Sequence, residues 1–335
     1  MPFKICVVGC GNVSNTQHGP AITRYVNLHE NTLFAACCDI DIDRARDYGH
    51  KFDLPNFYTD IDDMLDKENP DAVSLISPVE KTAELSCLIM KRGYPLMLEK
   101  PPGSNSIETK SMIDAARENN VPNQVAFNRR YMPLVQKLMD TLKSIDALNE
   151  ITDIHYRMIR VNRRDDSFST TAIHGIDLVR YISGADYRHV EIKYHELPQY
   201  GDCVANMHLN GVMSSGAIVH LDFLPMSGVV TERLEVNTHK GIFWLELPVW
   251  AESYDMPGKI TYLQNGNVIF TINGEELSNC ADEYILNGIY NENKFFFDSI
   301  RDGKKPDGDI MSGLQAVEIA DCLNRRNASY SGSCS

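Results

Sequence analysis

Lys4-Ile5-Cys6-Val7-Val8-Gly9-Cys10-Gly11-Asn12-Val13-Ser14 is the stretch on which the fold turns. A β-branched apolar run with no charge after Lys4 reads as a buried parallel strand, since strands covered by helices on both faces are apolar throughout. Gly9 lets the chain turn tightly, and Gly11 lets the backbone approach a pyrophosphate. Asn12 and Val13 then open a helix, whose first N–H groups attract such an anion. A second apolar run, Leu33 to Cys38, ends on Asp39, where a carboxylate can accept both hydroxyls of an adenine ribose. Ser14 stands where the third glycine of the dinucleotide fingerprint belongs. The glycines alone are therefore a weak signal, and the order strand, turn, helix, strand, carboxylate carries the reading.

Outward from that stretch, strand and helix signals alternate. Asp43 to Phe52 reads as helical, Tyr58-Thr59-Asp60 leads into another helix through Asp66, Ala72 to Ser77 is a buried strand and Glu80 to Arg92 a helix. Leu96-Met97-Leu98 is a strand running into Glu99-Lys100-Pro101-Pro102, Ile107 to Asn119 is a helix and Gln124 to Phe127 a last strand. Such alternation predicts an α/β fold with a Rossmann-type, doubly wound parallel sheet over residues 1–127. The pattern then changes. After a helix near Leu134–Ile145, period-two alternation begins at Ile151, a helix follows at Ile173–Ile182, and strand-like runs occupy much of the stretch from His189 to Ile272. Asn210-Gly211 and Asn265-Gly266 read as hairpin turns. Residues 128–335 are thus expected to form an α+β domain on an open, mostly antiparallel sheet with one face left over. Closing helices are expected at Glu292–Arg301 and Ser312–Arg325, free to pack back on the first domain, the second opened by a Ser312/Gln315 capping box.

Composition narrows the classes. With 335 residues, 43% hydrophobic and 23% charged, the chain is ordinary for a globular protein of two domains. A net charge of −14 opposes nucleic-acid binding, which needs a basic surface. No apolar run approaches a membrane span, and Gly9 interrupts the N-terminal run, which argues against a signal peptide. The nine cysteines form no CxxC pair and no Cys/His zinc spacing. They read as small buried hydrophobes in a reducing cytoplasm, with no metal site and no disulfides.

Gly9-Cys10-Gly11-Asn12, Asp39, Ser77-Pro78, Glu99-Lys100-Pro101, Phe127-Asn128-Arg129-Arg130-Tyr131 and His174-Gly175-Ile176-Asp177 occur in an order that resembles the glucose–fructose oxidoreductase / inositol dehydrogenase / MocA (Gfo/Idh/MocA) family. The resemblance extends to Asn293, Phe296, Phe297 and the segment from Gly313. It implies NAD as cofactor, contacted by Gly9, Gly11, Asn12, Val13, Asp39, Ser77, Pro78, Glu99 and Lys100. It implies hydride transfer at a secondary alcohol of a sugar, cyclitol or related small molecule, and assembly into homodimers or homotetramers through the exposed face of the second sheet.

The resemblance also assigns roles. Lys100 matches the lysine that contacts the reacting oxygen and the cofactor, where a cation stabilises an alkoxide. His174 matches the catalytic histidine, a base suited to neutral pH. Asp177, Asn128 and Arg129 match positions near substrate, although Asp177 could instead pair with Arg180. Arg163 and Arg164, with Arg160, form a cluster able to grip a carboxylate or phosphate, although Asp165 and Asp166 follow directly and could neutralise it. One departure concerns Thr170, which stands where inositol-dehydrogenase-like members carry an aspartate. Asp165, Asp166, a hydroxyl or water would have to replace it. Two other readings stay open: a reductase of a non-sugar substrate such as an aromatic diol or bilin, and a catalytically inactive NAD-binding regulator like the yeast galactose-pathway corepressor of the same fold. Lys100 and His174 together favour an enzyme.

Overall fold

A computed structural model describes residues 1–164, 168–249 and 253–332. Asp165 and Asp166 lie outside the described residues. The chain forms two compact units, Met1–Asn128 with Ile289–Val317, and Arg129–Gly288 with Glu318–Ser335.

In the first unit, β1 (Phe3–Val8), β2 (Thr32–Cys38), β3 (Asn56–Tyr58), β4 (Ala72–Leu75), β5 (Leu96–Glu99) and β6 (Asn123–Ala126) form one sheet in the order β3-β2-β1-β4-β5-β6. Every pairing in it is parallel. Ile5, Cys6 and Val7 are wholly buried, as expected for a central strand covered on both faces. Connections run through α1 (Gly19–Leu28), α2 (Ile42–Lys51), α3 (Ile61–Glu68), α4 (Val79–Lys91) and α5 (Ser106–Glu118). Short polar side chains start three of these: Asp41 accepts from the N–H groups of Asp43 and Arg44, Asp60 from Asp63, and Asn105 from Ile107 and Glu108. Strand order reverses between β1 and β4, which makes the carboxyl ends of those strands the ligand crevice of such a sheet.

The second unit holds α6 (Pro133–Ser144), β7 (Ile151–Val161), α7 (Ser169–Ser183), β8 (Tyr187–Glu196), β9 (Ala205–Met213), β10 (Ile218–Ser227), β11 (Thr231–Thr238), β12 (Ile242–Glu246), β13 (Lys259–Gln264), β14 (Asn267–Asn273) and the short helices α8 (Gly274–Ser278) and α9 (Glu283–Leu286). With β15 (Ser329–Ser331), its strands make a nine-stranded sheet among the described residues, antiparallel except where β7 meets β10. One face packs under α7. A Cβ on Gly175 would stand 2.2 Å from the Tyr156 ring, so only glycine lets helix and sheet approach so closely there. The other face carries His155, Arg157, His208, His220, Asp222 and Trp244, all partly or largely exposed. Two closing helices, α10 (Ile289–Arg301) and α11 (Ile310–Asn324), follow; α10 lies in the first unit, where Phe297 packs on Tyr25 with ring centroids 5.1 Å apart.

Three local expectations are corrected. Asn210-Gly211 is not a turn but lies within β9; a Cβ on Gly211 would meet Val219 Cγ2 at 3.0 Å and His189 O at 3.2 Å, so the glycine serves close packing between strands. The turn follows at Ser214–Gly216, where Gly216 has φ +92°. The last helix begins at Ile310 rather than Ser312, and Asp309 Oδ1 accepts from the Ser312 N–H at 2.8 Å in place of a Ser312 cap. Finally, α7 starts at Ser169, four residues before the expected Ile173, which puts Thr170 in its first turn. Asn265-Gly266 does form a hairpin, with φ of +50° and +76° joining β13 to β14.

Candidate cofactor and catalytic site

The glycine turn is built from backbone constraints. Gly9 donates to Cys38 O at 2.8 Å and has φ +96°, and a Cβ there would stand 1.9 Å from Ile76 O. No other residue fits. At Gly11, by contrast, nothing lies within 4 Å of a would-be Cβ, so the backbone is open to a neighbour on that side. Asp39 accepts from the N–H of Cys10 at 2.8 Å and from that of Asp41 at 3.0 Å, which fixes its carboxylate beside the turn. Asn12 and Val13 are exposed at the start of the following helix. These features fit a dinucleotide: a turn stripped of side chains for the pyrophosphate and a positioned carboxylate for the ribose. Sequence reasoning missed Asn15, whose Nδ2 donates to Cys10 O at 2.7 Å and braces the turn.

The missing third glycine has a structural answer. Ser14 is fully buried, and its Oγ donates to the Tyr48 hydroxyl at 3.1 Å. Residues Ser14–His18 wind as a π-helix, and close packing falls instead to Gly19, where a Cβ would stand 2.4 Å from the Phe52 ring. Beyond Asp39, Ile40 is 95% exposed. Arg44 and Arg46 lie within 3.5 Å of Asp41 and 2.6 Å of Asp43, acids of their own helix or its cap.

Ser77 and Pro78 follow β4, Ser77 Oγ lying 3.0 Å from Thr82 Oγ1 and Pro78 capping α4. Glu99 ends β5, and half-buried Lys100 follows it, joined to Pro101 by a cis peptide bond. Glu99 Oε1 lies 2.8 Å from His18 Nε2, and Glu99 Oε2 accepts from the Lys100 N–H at 3.1 Å. Burial alone would raise the Glu99 pKa, but the hydrogen bond from His18 and the charge of Lys100 hold it below the usual carboxylate value.

In the second unit, His174 sits mid-helix in α7 and is 8% exposed. Asp177, one turn on, is paired with Arg130 (Oδ2 to Nε, 2.8 Å), while Arg180 pairs with Asp186. Arg129 also turns inward: it bonds Glu232 through Nη2 at 2.9 Å, and Arg160 and the Tyr156 hydroxyl bond the same carboxylate. Burial pushes Glu232 up, but the Arg129 and Arg160 charges outweigh it and bring the group down to about 2. The charges of Arg129, Arg160 and Asp177 are thus satisfied within the unit, and breaking such a buried pair costs about 3–5 kcal/mol. Asn128 is buried in the short turn Asn128–Tyr131. Arg163 and Arg164 are exposed just after β7, Arg163 Nη2 lying 3.4 Å from Thr171 Oγ1 and Arg164 Nε 2.7 Å from Asn162 Oδ1. Thr170 is half-buried, one turn before His174.

Residues 3–127 match the sequence pattern of the oxidoreductase family with an NAD-binding Rossmann fold, GFO_IDH_MocA. Over that N-terminal stretch the chain is similar to the Gfo/Idh/MocA oxidoreductases. It is 24% identical to the myo-inositol 2-dehydrogenase of Thermotoga maritima over 201 residues, 56% of this chain and 57% of that one. It spans little more than half the length of the curated relatives it matches. Solved structures share the fold over nearly the whole chain. A dehydrogenase from Chromobacterium violaceum superposes with a TM-score of 0.83 at 20% identity, covering 98% of this chain and 96% of that one. An oxidoreductase from Agrobacterium radiobacter, solved in complex with NAD+, L-tartaric acid and magnesium, gives 0.79 at 16% identity, covering 99% and 98%. NAD is the cofactor of the matched domain. Among the described residues no cluster of three or more metal-ligating side chains occurs, and no helix is long and apolar enough to cross a membrane.

Proposed function

We propose that the protein transfers a hydride between NAD and a secondary alcohol carbon of a sugar, cyclitol or sugar derivative. The observation that carries this reading is the placement of Lys100 at the carboxyl end of β5, in the sheet whose other strand ends hold Gly9, Gly11 and Asp39. NAD, when bound, supplies the hydride acceptor. Lys100 stabilises the negative charge that develops on the alcohol oxygen. His174 takes the hydroxyl proton on oxidation and returns it on reduction. Thr170, one turn before His174 in α7, is the group we assign to pass that proton onward. Arg163 and Arg164, exposed just after β7, are the cations assigned to an anionic substituent of the substrate, while Arg129, Arg160 and Asp177 brace α7 and β7.

NAD is expected over NADP. The Asp39 carboxylate repels a 2′-phosphate, Ile40 offers no cation, and Arg44 and Arg46 have acidic partners close by. The test is reduced-cofactor formation with NAD and with NADP against a panel of sugars, cyclitols, uronates and sugar phosphates. Turnover of at least one panel member, faster with NAD, is the expected outcome. Tight NAD binding without turnover of any compound would favour a regulatory role, and equal efficiency with the two cofactors would overturn the assignment of Asp39.

A further inference from the structure

We propose that His18 is a positioning residue for Lys100, acting through the Glu99 carboxylate. The inference rests on Lys100 being the cation of the proposed reaction and adds a residue that neither composition nor motif singles out. His18 is 2% exposed and closes the π-wound turn that follows the glycine turn. Its two ring nitrogens are both engaged. Asn293 Nδ2 lies 3.1 Å from Nδ1, and Glu99 Oε1 lies 2.8 Å from Nε2. Asn293 Nδ2 also donates to Ile289 O at 2.8 Å, and a carbonyl accepts only from the amide nitrogen, so the orientation of that amide is fixed. Nδ1 of His18 therefore accepts, and Nε2–H donates to Glu99.

The consequence reaches Lys100 by one further bond. Glu99 Oε2 accepts from the Lys100 N–H at 3.1 Å, so the carboxylate is held on one oxygen by His18 and holds the backbone of Lys100 with the other. Three segments far apart in sequence (the helix after the glycine turn, the end of β5 and α10) thus converge on the backbone from which the ammonium projects. A second acid, Glu292, lies fully buried nearby, and burial together with the Glu99 charge keeps it protonated. Of the two carboxyls, Glu99, the one His18 bonds, carries the charge. A ligand seated at the glycine turn would rest on the same helix that ends in His18, so binding there and the aim of Lys100 share one support.

The test uses the full chain and the variants His18→Leu, His18→Gln and Lys100→Ala. Glutamine keeps an N–H close to the place of Nε2, whereas leucine removes both bonds. Amide hydrogen exchange needs no substrate: His18→Leu should speed exchange at the Lys100 N–H by about tenfold or more while leaving Leu96–Leu98 unchanged, and His18→Gln should restore most of the protection. With any substrate found by the panel, His18→Leu should lower kcat on the order of 10- to 100-fold with NAD affinity within about threefold of native. Unchanged exchange at Lys100 in a folded His18→Leu variant overturns the proposal, as does faster exchange that glutamine does not rescue. Native kcat in Lys100→Ala would instead overturn the catalytic reading of Lys100 and leave the exchange result to decide the role of His18.

Discussion

Glu99 and Glu292 are buried neighbours that the fold drives to opposite protonation states. Glu99 has a donor on each oxygen and is held below the usual value, whereas neither oxygen of Glu292 finds a hydrogen-bond partner among the described residues and its pKa is well above 4.5. The sign follows from linkage. The unfolded chain releases the Glu292 proton near 4.5 and the folded chain keeps it, so above that value folding is opposed increasingly as pH rises. Glu292→Gln, which removes the titration and keeps the shape, should raise stability over native by an amount that vanishes below the unfolded value of 4.5 and grows as pH rises above it. Urea unfolding of both proteins on either side of that value checks it, and a pH-independent difference would show that Glu292 is not the group responsible. The depressed groups Glu99 and Glu232 have the opposite sign, losing their stabilisation as pH falls below about 4.5, and cancel in the comparison. At this scale the sequence was readable where backbone geometry restricts the residue type, as at Gly9. It was not readable at His18, whose partners Glu99 and Asn293 lie 81 and 275 positions away, nor at Glu292, whose state is set by burial and the Glu99 charge.

Among the elements, the parallel strands other than β3 were legible because burial on both faces leaves a continuous apolar run, as in β1 and β2; β3, three residues long and not fully buried, has no such run and was missed. The antiparallel strands alternate, and the start at Ile151 and the stretch from His189 to Ile272 were legible as strand-like, whereas the short β15 was not. The errors came from residue pairs with two possible uses. Asn210-Gly211 has the composition of a type I′ turn, yet Gly211 is needed where β8, β9 and β10 press together, and the chain turns after Met213 instead. Ser312 to Gln315 has the spacing of a capping box, but Asp309 lies earlier and supplies a carboxylate, the stronger acceptor at a helix start. The early start of α7 follows no periodic signal, since Ser169, Thr170 and Thr171 are poor helix formers. Its C-terminal end was better marked: Gly184 closes it at φ +62°.

For the whole molecule, the doubly wound parallel sheet and the family resemblance were legible from motif order, whereas the substrate was not, because the cations expected to read it are either buried in ion pairs, as Arg129 and Arg160 are, or exposed beyond β7. The open face of the second sheet bears on assembly. It displays Trp244, 47% exposed, beside an Asp222 carboxylate surrounded by His208 at 2.6 Å, His155 at 3.1 Å and Arg157 at 3.2 Å. We propose that a second copy of the chain covers this face. Sedimentation should then give a multiple of 37.8 kDa at micromolar concentration, and Trp244→Glu should reduce it, whereas a monomeric native protein would exclude the arrangement. Lys100 and His174 carry the chemistry in the proposed reaction, and both act mainly in the transition state. The most direct test is the kcat of Lys100→Ala and His174→Ala on a substrate from the panel, with NAD binding measured separately. Losses on the order of 10² to 10³ for Lys100→Ala and 10² to 10⁴ for His174→Ala, the latter with NAD affinity nearly native and the limb of the pH profile that reports the base gone, are predicted. Near-native kcat in both variants would contradict the mechanism.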